Sequence, residues 1–182
     1  PDSRGVDGEI DENSNLTIDF GFSRRFDWGD APDSYGTTNG AGGPSHVIFG
    51  TLFMGNVEDS EGDGQPNPAA DGDNTNNSNA LGDDEDGATI PAAVAGTNLN
   101  VEVSVFNNSG APATLIGWVD LNGNGTFEPA EAATATIPSS PIVGTVTLTF
   151  AVPVTADVDT GGQTYARFRL TTDPAITTST PG

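Results

Sequence analysis

Four stretches of the chain alternate apolar and polar residues with a period of two, the pattern of strands buried on one face. Residues 15–22 set Leu16, Ile18, Phe20 and Phe22 on one side. Residues 99–106 do the same with Leu99, Val101, Val103 and Val105, and residues 143–152 with Val146, Leu148, Phe150 and Val152. Residues 165–171 turn Ala166, Phe168 and Leu170 inward and Arg167 and Arg169 outward. A further strand is expected from Leu115 to Leu121, and no segment carries a helical period. Short strands separated by turn residues predict an all-β fold, an antiparallel β-sandwich whose two inner faces supply the core.

Between His46 and Ile90 the pattern changes. One apolar run from Val47 to Met54 is followed by some thirty residues of Gly, Asn and acid. A loop of that length inside a compact domain ordinarily has a ligand or a task. The composition agrees: 24 Gly and 13 Pro in 182 residues, with 34% hydrophobic and 7% aromatic residues, describe short strands between long loops. The strand periodicity argues against a disordered chain of similar polarity.

Charge narrows the functions. The chain holds 26 acidic and 5 basic residues, a net charge of −21, and all five bases are arginines: Arg4, Arg24, Arg25, Arg167 and Arg169. Nothing internal balances the acidic loops, so cations are expected to do it. Nucleic acid is excluded as a partner, since phosphate binding needs a basic stripe, and an anionic membrane would repel this surface. There is no cysteine, hence no disulfide or thiolate site, and no apolar run of transmembrane length. The sequence begins at Pro1 with neither methionine nor signal peptide, and is read as an internal piece of a longer protein.

The sharpest motif is DLNGNGTFEPAE, residues 120–131, which fits D-x-[DN]-x-[DN]-G-x5-E without a gap. Asp120, Asn122 and Asn124 would offer side-chain oxygens, Gly125 the sharp turn and Thr126 its carbonyl. Glu128 would act directly or through water, and Glu131 would close the shell in bidentate fashion. A hard divalent cation is implied, Ca2+ before Mg2+. The flanks, with Trp118 and Val119 ending a strand, are not EF-hand helices. The competing reading is an Asn-Gly turn with its polar groups in water. A second loop, VEDSEGDGQP, spaces Asp59, Glu61 and Asp63 like the opening half of such a site, with closure left to Asp71, Asp73 or the run Asp83, Asp84, Glu85 and Asp86. A mobile, solvated acidic loop is the alternative there. A third cluster, DWGDAPD, groups Asp27, Asp30 and Asp33 around Trp28. Ligation by all three and a core tryptophan beside Asx turns stand as equals.

Taken in order, DWGDAPDSYGT, GPSH, DSEGDGQP, GDDEDG, GWVDLNGNGTFEPAE and YARFRLT resemble the GEVED domain of large bacterial surface proteins. The resemblance spans residues 26–182, and residues 1–25, with the strand NLTIDFGF, are similar to the end of a Cna-B-like domain. It implies a secreted, tandem-domain, extracellular setting and calcium, and no reaction. The loop at 120–131 carries over in full; ligand roles for Asp27, Asp30 and Asp33 do not.

An enzyme is not expected. His46 lies in GPSHVIFG without a nucleophile elbow, and HExxH, GxSxG and phosphate loops are absent from the sequence. Two functions remain: a calcium-stiffened structural module that meets neighbouring copies or domains head to tail in a fibril, or an adhesin module that takes a peptide or glycan ligand. Sparse aromatics favour the first. Sequons stand at Asn15, Asn76, Asn107 and Asn124, the last expected to stay bare as a metal ligand, and the Thr/Ser-rich residues 171–180 suit a linker or O-linked sugar. The strand at 15–22 either opens this sandwich or adds to the sheet of a neighbouring module.

Overall fold

The computed structural model describes residues 25–56, 58, 60–72, 85–156 and 163–182. The strand expected over 15–22, the candidate ligands Asp59, Asp73, Asp83 and Asp84, and the sequons at Asn15 and Asn76 lie outside those residues. Among the described residues nine strands follow in order: β1 (Phe26–Trp28), β2 (Ser45–Val47), β3 (Leu52–Met54), β4 (Ala88–Thr89), β5 (Asn98–Asn107), β6 (Ala113–Val119), β7 (Ala132–Ile137), β8 (Ser140–Ala151) and β9 (Ala166–Thr171). All pairings are antiparallel. In one sheet β5 is central, with β8 along one edge and β3 and β4 sharing the other; the second sheet runs β7-β6-β9. A short β1–β2 pair stands beside them.

The sandwich follows from the alternation. Val101, Val103 and Val105 of β5 and Leu148 and Phe150 of β8 pack against Leu115 and Val119 of β6, Ile137 of β7 and Leu170 of β9 in one apolar cluster. Each such side chain contributes about 1.5–3 kcal/mol on burial. Gly117 of β6 leaves no room for a side chain: a Cβ there would meet the Phe168 ring of the neighbouring strand at 2.8 Å and Leu148 of the facing sheet at 2.9 Å.

β6 is covered on both faces. Its residues Ile116 and Trp118 point away from the inter-sheet core into a second cluster with Ala31, Tyr35 and Phe127, closed at its rim by Tyr165 and Ile176. That second layer corrects the expectation that Arg167 and Arg169 face solvent: each is only 7% exposed. Arg167 donates to the carbonyls of Tyr35 (3.0 Å) and Pro181 (3.1 Å) and to Thr37 Oγ1 (3.0 Å). Arg169 donates to Thr180 O (2.7 Å) and His46 Nε2 (3.0 Å). Burial lowers the pKa of both, that of Arg167 to about 10, which is still well above neutral pH. The C-terminal residues are likewise no free linker, since Trp118 Nε1 donates to Thr178 O (3.0 Å) and the two arginines hold the carbonyls that follow.

His46 is expected to set an acid limit on stability. Burial, and then the adjacent Arg169 guanidinium, push its pKa down from 6.5 to about 4. The folded chain therefore keeps the ring neutral where the unfolded chain takes up a proton. Stability is complete above about pH 6.5 and falls by about 3 kcal/mol as pH drops towards 4. His46→Gln retains an acceptor for Arg169 and removes the titration. Urea melts between pH 6.5 and 4 should give a shallower decline for the variant than for the parent, and parallel curves would contradict the assignment.

Candidate functional site

The loop at 120–131 leaves the buried end of β6 and returns through a short 3-10 turn, Pro129–Glu131, into β7. Its backbone turns at Gly123 (φ +69°) and Gly125 (φ +81°), a conformation that side chains with a Cβ seldom adopt. Phe127, the one aromatic residue inside the loop, anchors it in the second cluster with its ring 4.6 Å from that of Tyr35 and with the Arg167 guanidinium 5.1 Å above it.

Asp120 organises the loop. It is 1% exposed, and its two carboxylate oxygens accept four hydrogen bonds. Oδ1 takes the N–H groups of Gly123 (2.7 Å) and Asn124 (3.2 Å), and Oδ2 takes Gly125 N–H (2.9 Å) and the Tyr35 hydroxyl (2.7 Å). Its backbone is held as well: the carbonyl accepts from Thr164 Oγ1, and the N–H donates to Tyr165 O at 3.0 Å. Burial and the Asp120 hydrogen bond push the Tyr35 pKa up, so the phenol remains a donor.

Glu131 closes the far side. Its Oε1 accepts from Leu121 N–H (3.0 Å) and Asn122 N–H (3.3 Å), and its Oε2 from Glu128 N–H (3.3 Å) in a capping box. Burial raises its pKa, the Asp120 charge adds to the rise, and backbone hydrogen bonds oppose it. Asn122 Nδ2 donates to Glu128 Oε2 (2.9 Å), while Asn122 Oδ1 accepts Asn124 N–H (2.9 Å) and Asn124 Oδ1 accepts Thr126 N–H (2.9 Å). All six predicted ligands thus share one loop, every donor is a hard oxygen, and two carboxylates lie buried beside each other. That chemistry suits calcium. Among the described residues, however, no group of three or more His, Cys, Asp or Glu side chains is placed to hold a metal ion. The shell would have to be completed by the Asn122 and Asn124 amides and the Thr126 carbonyl, with Asp120 giving up part of its hydrogen bonding.

The other predicted acids have separate duties. Asp30, 5% exposed, accepts Gln65 N–H (3.1 Å); Glu61 accepts Trp28 N–H (3.0 Å); Asp63 accepts Asn39 N–H (2.6 Å) and Gly64 N–H (2.9 Å). Asp33 binds Thr38 Oγ1 (3.0 Å), and Asp86 takes Asn56 N–H (2.9 Å) and Nδ2 (2.7 Å). Asp27 lies in β1 opposite His46. These acids bind distant turns together without meeting at a point. Asn107, read as a sequon, is 2% exposed and donates its amide to Ala111 O (2.9 Å) and Ile137 O (3.0 Å), so the folded chain offers no accessible nitrogen there. Tyr35, Thr164 and Phe127 were not expected at the site; a phenylalanine amid polar loop residues was the one visible sign.

A recess of about 370 Å³ lies beside this region, lined by Trp28, His46, Tyr165, Arg167 and Arg169 among others, and the Trp28 indole N–H is buried without a hydrogen-bond partner among the described residues.

Asp120 should therefore matter even with no cation bound. Asp120→Asn replaces one acceptor oxygen by a donor amide facing N–H groups, and should cost about 2–4 kcal/mol in urea melts run in chelator. Tyr35→Phe removes a single donor and should cost about 1 kcal/mol. Equal, negligible losses for both would remove Asp120 from this role.

Comparison with curated proteins and with solved structures finds no match. Among protein families, residues 114–182, which run from β6 through this loop to the C-terminus, match the GEVED domain.

Proposed function

We propose that the chain is a calcium-stabilised, extracellular structural module of a large tandem-domain surface or fibril-forming protein, without catalytic activity, meeting neighbouring copies or domains head to tail. The observation that carries this reading is the buried pair Asp120 and Glu131, enclosed in a loop of oxygen ligands with no basic side chain hydrogen-bonded to it among the described residues. Two of the five arginines, Arg167 and Arg169, are spent on carbonyls, a hydroxyl and an imidazole, which leaves the acids still further from internal neutrality. A cation bound only by the folded chain would relieve that excess and raise stability by mass action. The GEVED match over the loop supports the same setting, and no helix among the described residues is long and apolar enough to cross a membrane.

A second reading, a calcium-dependent peptide- or glycan-binding adhesin module, draws on the recess beside Trp28 and Arg169. Its lining gathers aromatic and polar side chains, Trp28, Gln163 and Tyr165 among them, around one recess. Quenching of tryptophan fluorescence by a peptide or glycan at micromolar concentration would favour this reading over the first.

Calcium at about a hundredfold excess over its dissociation constant should add close to 3 kcal/mol, a rise of several degrees in melting temperature over the chelated chain. Glu131→Ala should abolish most of that rise and Glu128→Ala only part, since Glu131 holds both ends of the loop. Identical melting curves in calcium and in excess chelator would reject the proposal.

A further inference from the structure

The loop at 120–131 carries a chemical weakness that its own geometry imposes. The sequence holds three Asn-Gly pairs, at 39–40, 122–123 and 124–125, and two of them stand in this loop. Neither residue type is easily exchanged there. Gly123 and Gly125 sit at φ +69° and +81°, a conformation that glycine adopts without strain. The Asn122 and Asn124 side-chain oxygens close successive turns by accepting the N–H groups of Asn124 and Thr126. Asn-Gly is also the dipeptide most prone to deamidation, because glycine leaves its nitrogen unshielded. That nitrogen loses its proton and attacks the asparagine Cγ; the Cγ–Nδ2 bond breaks and ammonia departs. Water then opens the resulting succinimide to aspartate or isoaspartate.

Burial does not shield the two asparagines, since Asn122 and Asn124 are exposed, as Asn39 is. The difference lies in the proton that the reaction must remove. Gly123 N–H donates to Asp120 Oδ1 (2.7 Å) and Gly125 N–H to Asp120 Oδ2 (2.9 Å), so one buried carboxylate holds both attacking nitrogens. It opposes cyclisation twice. The hydrogen bond must break before the nitrogen can turn towards Cγ, and the amide anion formed on the way would stand against a negative charge. Nor can Asp120 act as the base, because a carboxylate is far too weak to deprotonate a peptide nitrogen. At the third pair the nearby carboxylate is placed differently: Asp63 accepts the N–H of Asn39 itself (2.6 Å), not the nitrogen that would attack. From this arrangement we propose that Asn122 and Asn124 are latent deamidation sites, and that Asp120 is the residue that keeps them amides. Loss of its grip, by unfolding or by opening of the loop, exposes both. Each conversion adds a negative charge beside Asp120 and Glu131, and isoaspartate lengthens the backbone of a turn, so openings of the loop accumulate as covalent damage. The protection requires no cation and stands apart from the calcium reading.

The experiment ages the 182-residue chain in chelator at mildly alkaline pH, folded and in urea, and follows each pair by peptide mass mapping, which detects the change from amide to acid. In urea all three pairs should convert at comparable rates. In the folded chain Asn122 and Asn124 should fall behind Asn39 by roughly tenfold to a hundredfold, the factor for first breaking a hydrogen bond to a charged acceptor. Asp120→Asn, with its folding checked by a urea melt, should release both loop sites towards their urea rates. Tyr35→Phe removes only the donor from outside the loop, leaves both glycine bonds in place, and should keep them protected. Hydrogen exchange reads the same grip without a variant: the Gly123 and Gly125 amide protons should exchange far more slowly in the folded chain than in urea. Equal slowness at all three pairs would assign protection to folding in general and overturn the role of Asp120. Loop sites that convert at their urea rates in the folded parent, unprotected Gly123 and Gly125 amides, or a folded Asp120→Asn chain that stays protected would overturn it as well.

Discussion

The central constraint in this fold is that β6 is buried on both faces. A sandwich strand ordinarily turns one face to water, and its polar alternation reflects that. Here the far face of β6 carries Ile116 and Trp118, so something must lie over it. The chain provides the segment with Ala31 and Tyr35 on one side, Phe127 from the acidic loop in the middle and the C-terminal residues with Ile176 on the other. The polar features follow from that cover. Asp120 is buried because the strand it terminates is buried; Tyr35 reaches it because Tyr35 belongs to the covering layer. The arginines of β9 are enclosed for the same reason, and being enclosed they bind the layer to the sheet.

Much of the sandwich was legible from period alone. β5 alternates over its whole length and β8 over its second half, and both form as expected with Val101, Val103, Leu148 and Phe150 inside. The alternation in β9 was just as clear and misled about direction. A pattern of Arg between apolar residues distinguishes the two faces of a strand without revealing whether the polar face meets water or a layer of carbonyl acceptors. The strands β1, β3 and β4 are two or three residues long, too short to show a period, and exist through their partners. β7, built from alanine and threonine, has too little contrast to register. The candidate loop was legible because its residue types and spacing are both demanding. Its anchoring by Tyr35 and Thr164 was not, because those contacts join positions 85 and 44 residues away.

The acids divide by what they touch. Asp30, Glu61, Asp63, Asp33 and Asp86 each accept from a backbone or side-chain donor in another turn, so the long polar segments are held by carboxylate-capped turns rather than by apolar contacts. Hydrogen bonds to a charged acceptor are individually stronger than neutral ones, which suits segments so poor in hydrophobic residues. This accounts for how the described parts of the polar segments are held in a chain that is only one-third hydrophobic. It also separates two roles that composition alone blends: acids that complete turns, and the buried pair at 120 and 131 that has no basic partner among the described residues.

The C-terminal residues are held at Thr178, Thr180 and Pro181 through their peptide carbonyls, not through their side chains. Recognition of that kind is blind to residue identity. Apart from Ile176, whose side chain packs in the second cluster, the path of this segment can be inherited unchanged while its letters drift. The arginines and the tryptophan that grip it have no such freedom, and divergence among relatives would be expected to fall on the strap and spare the hands that hold it.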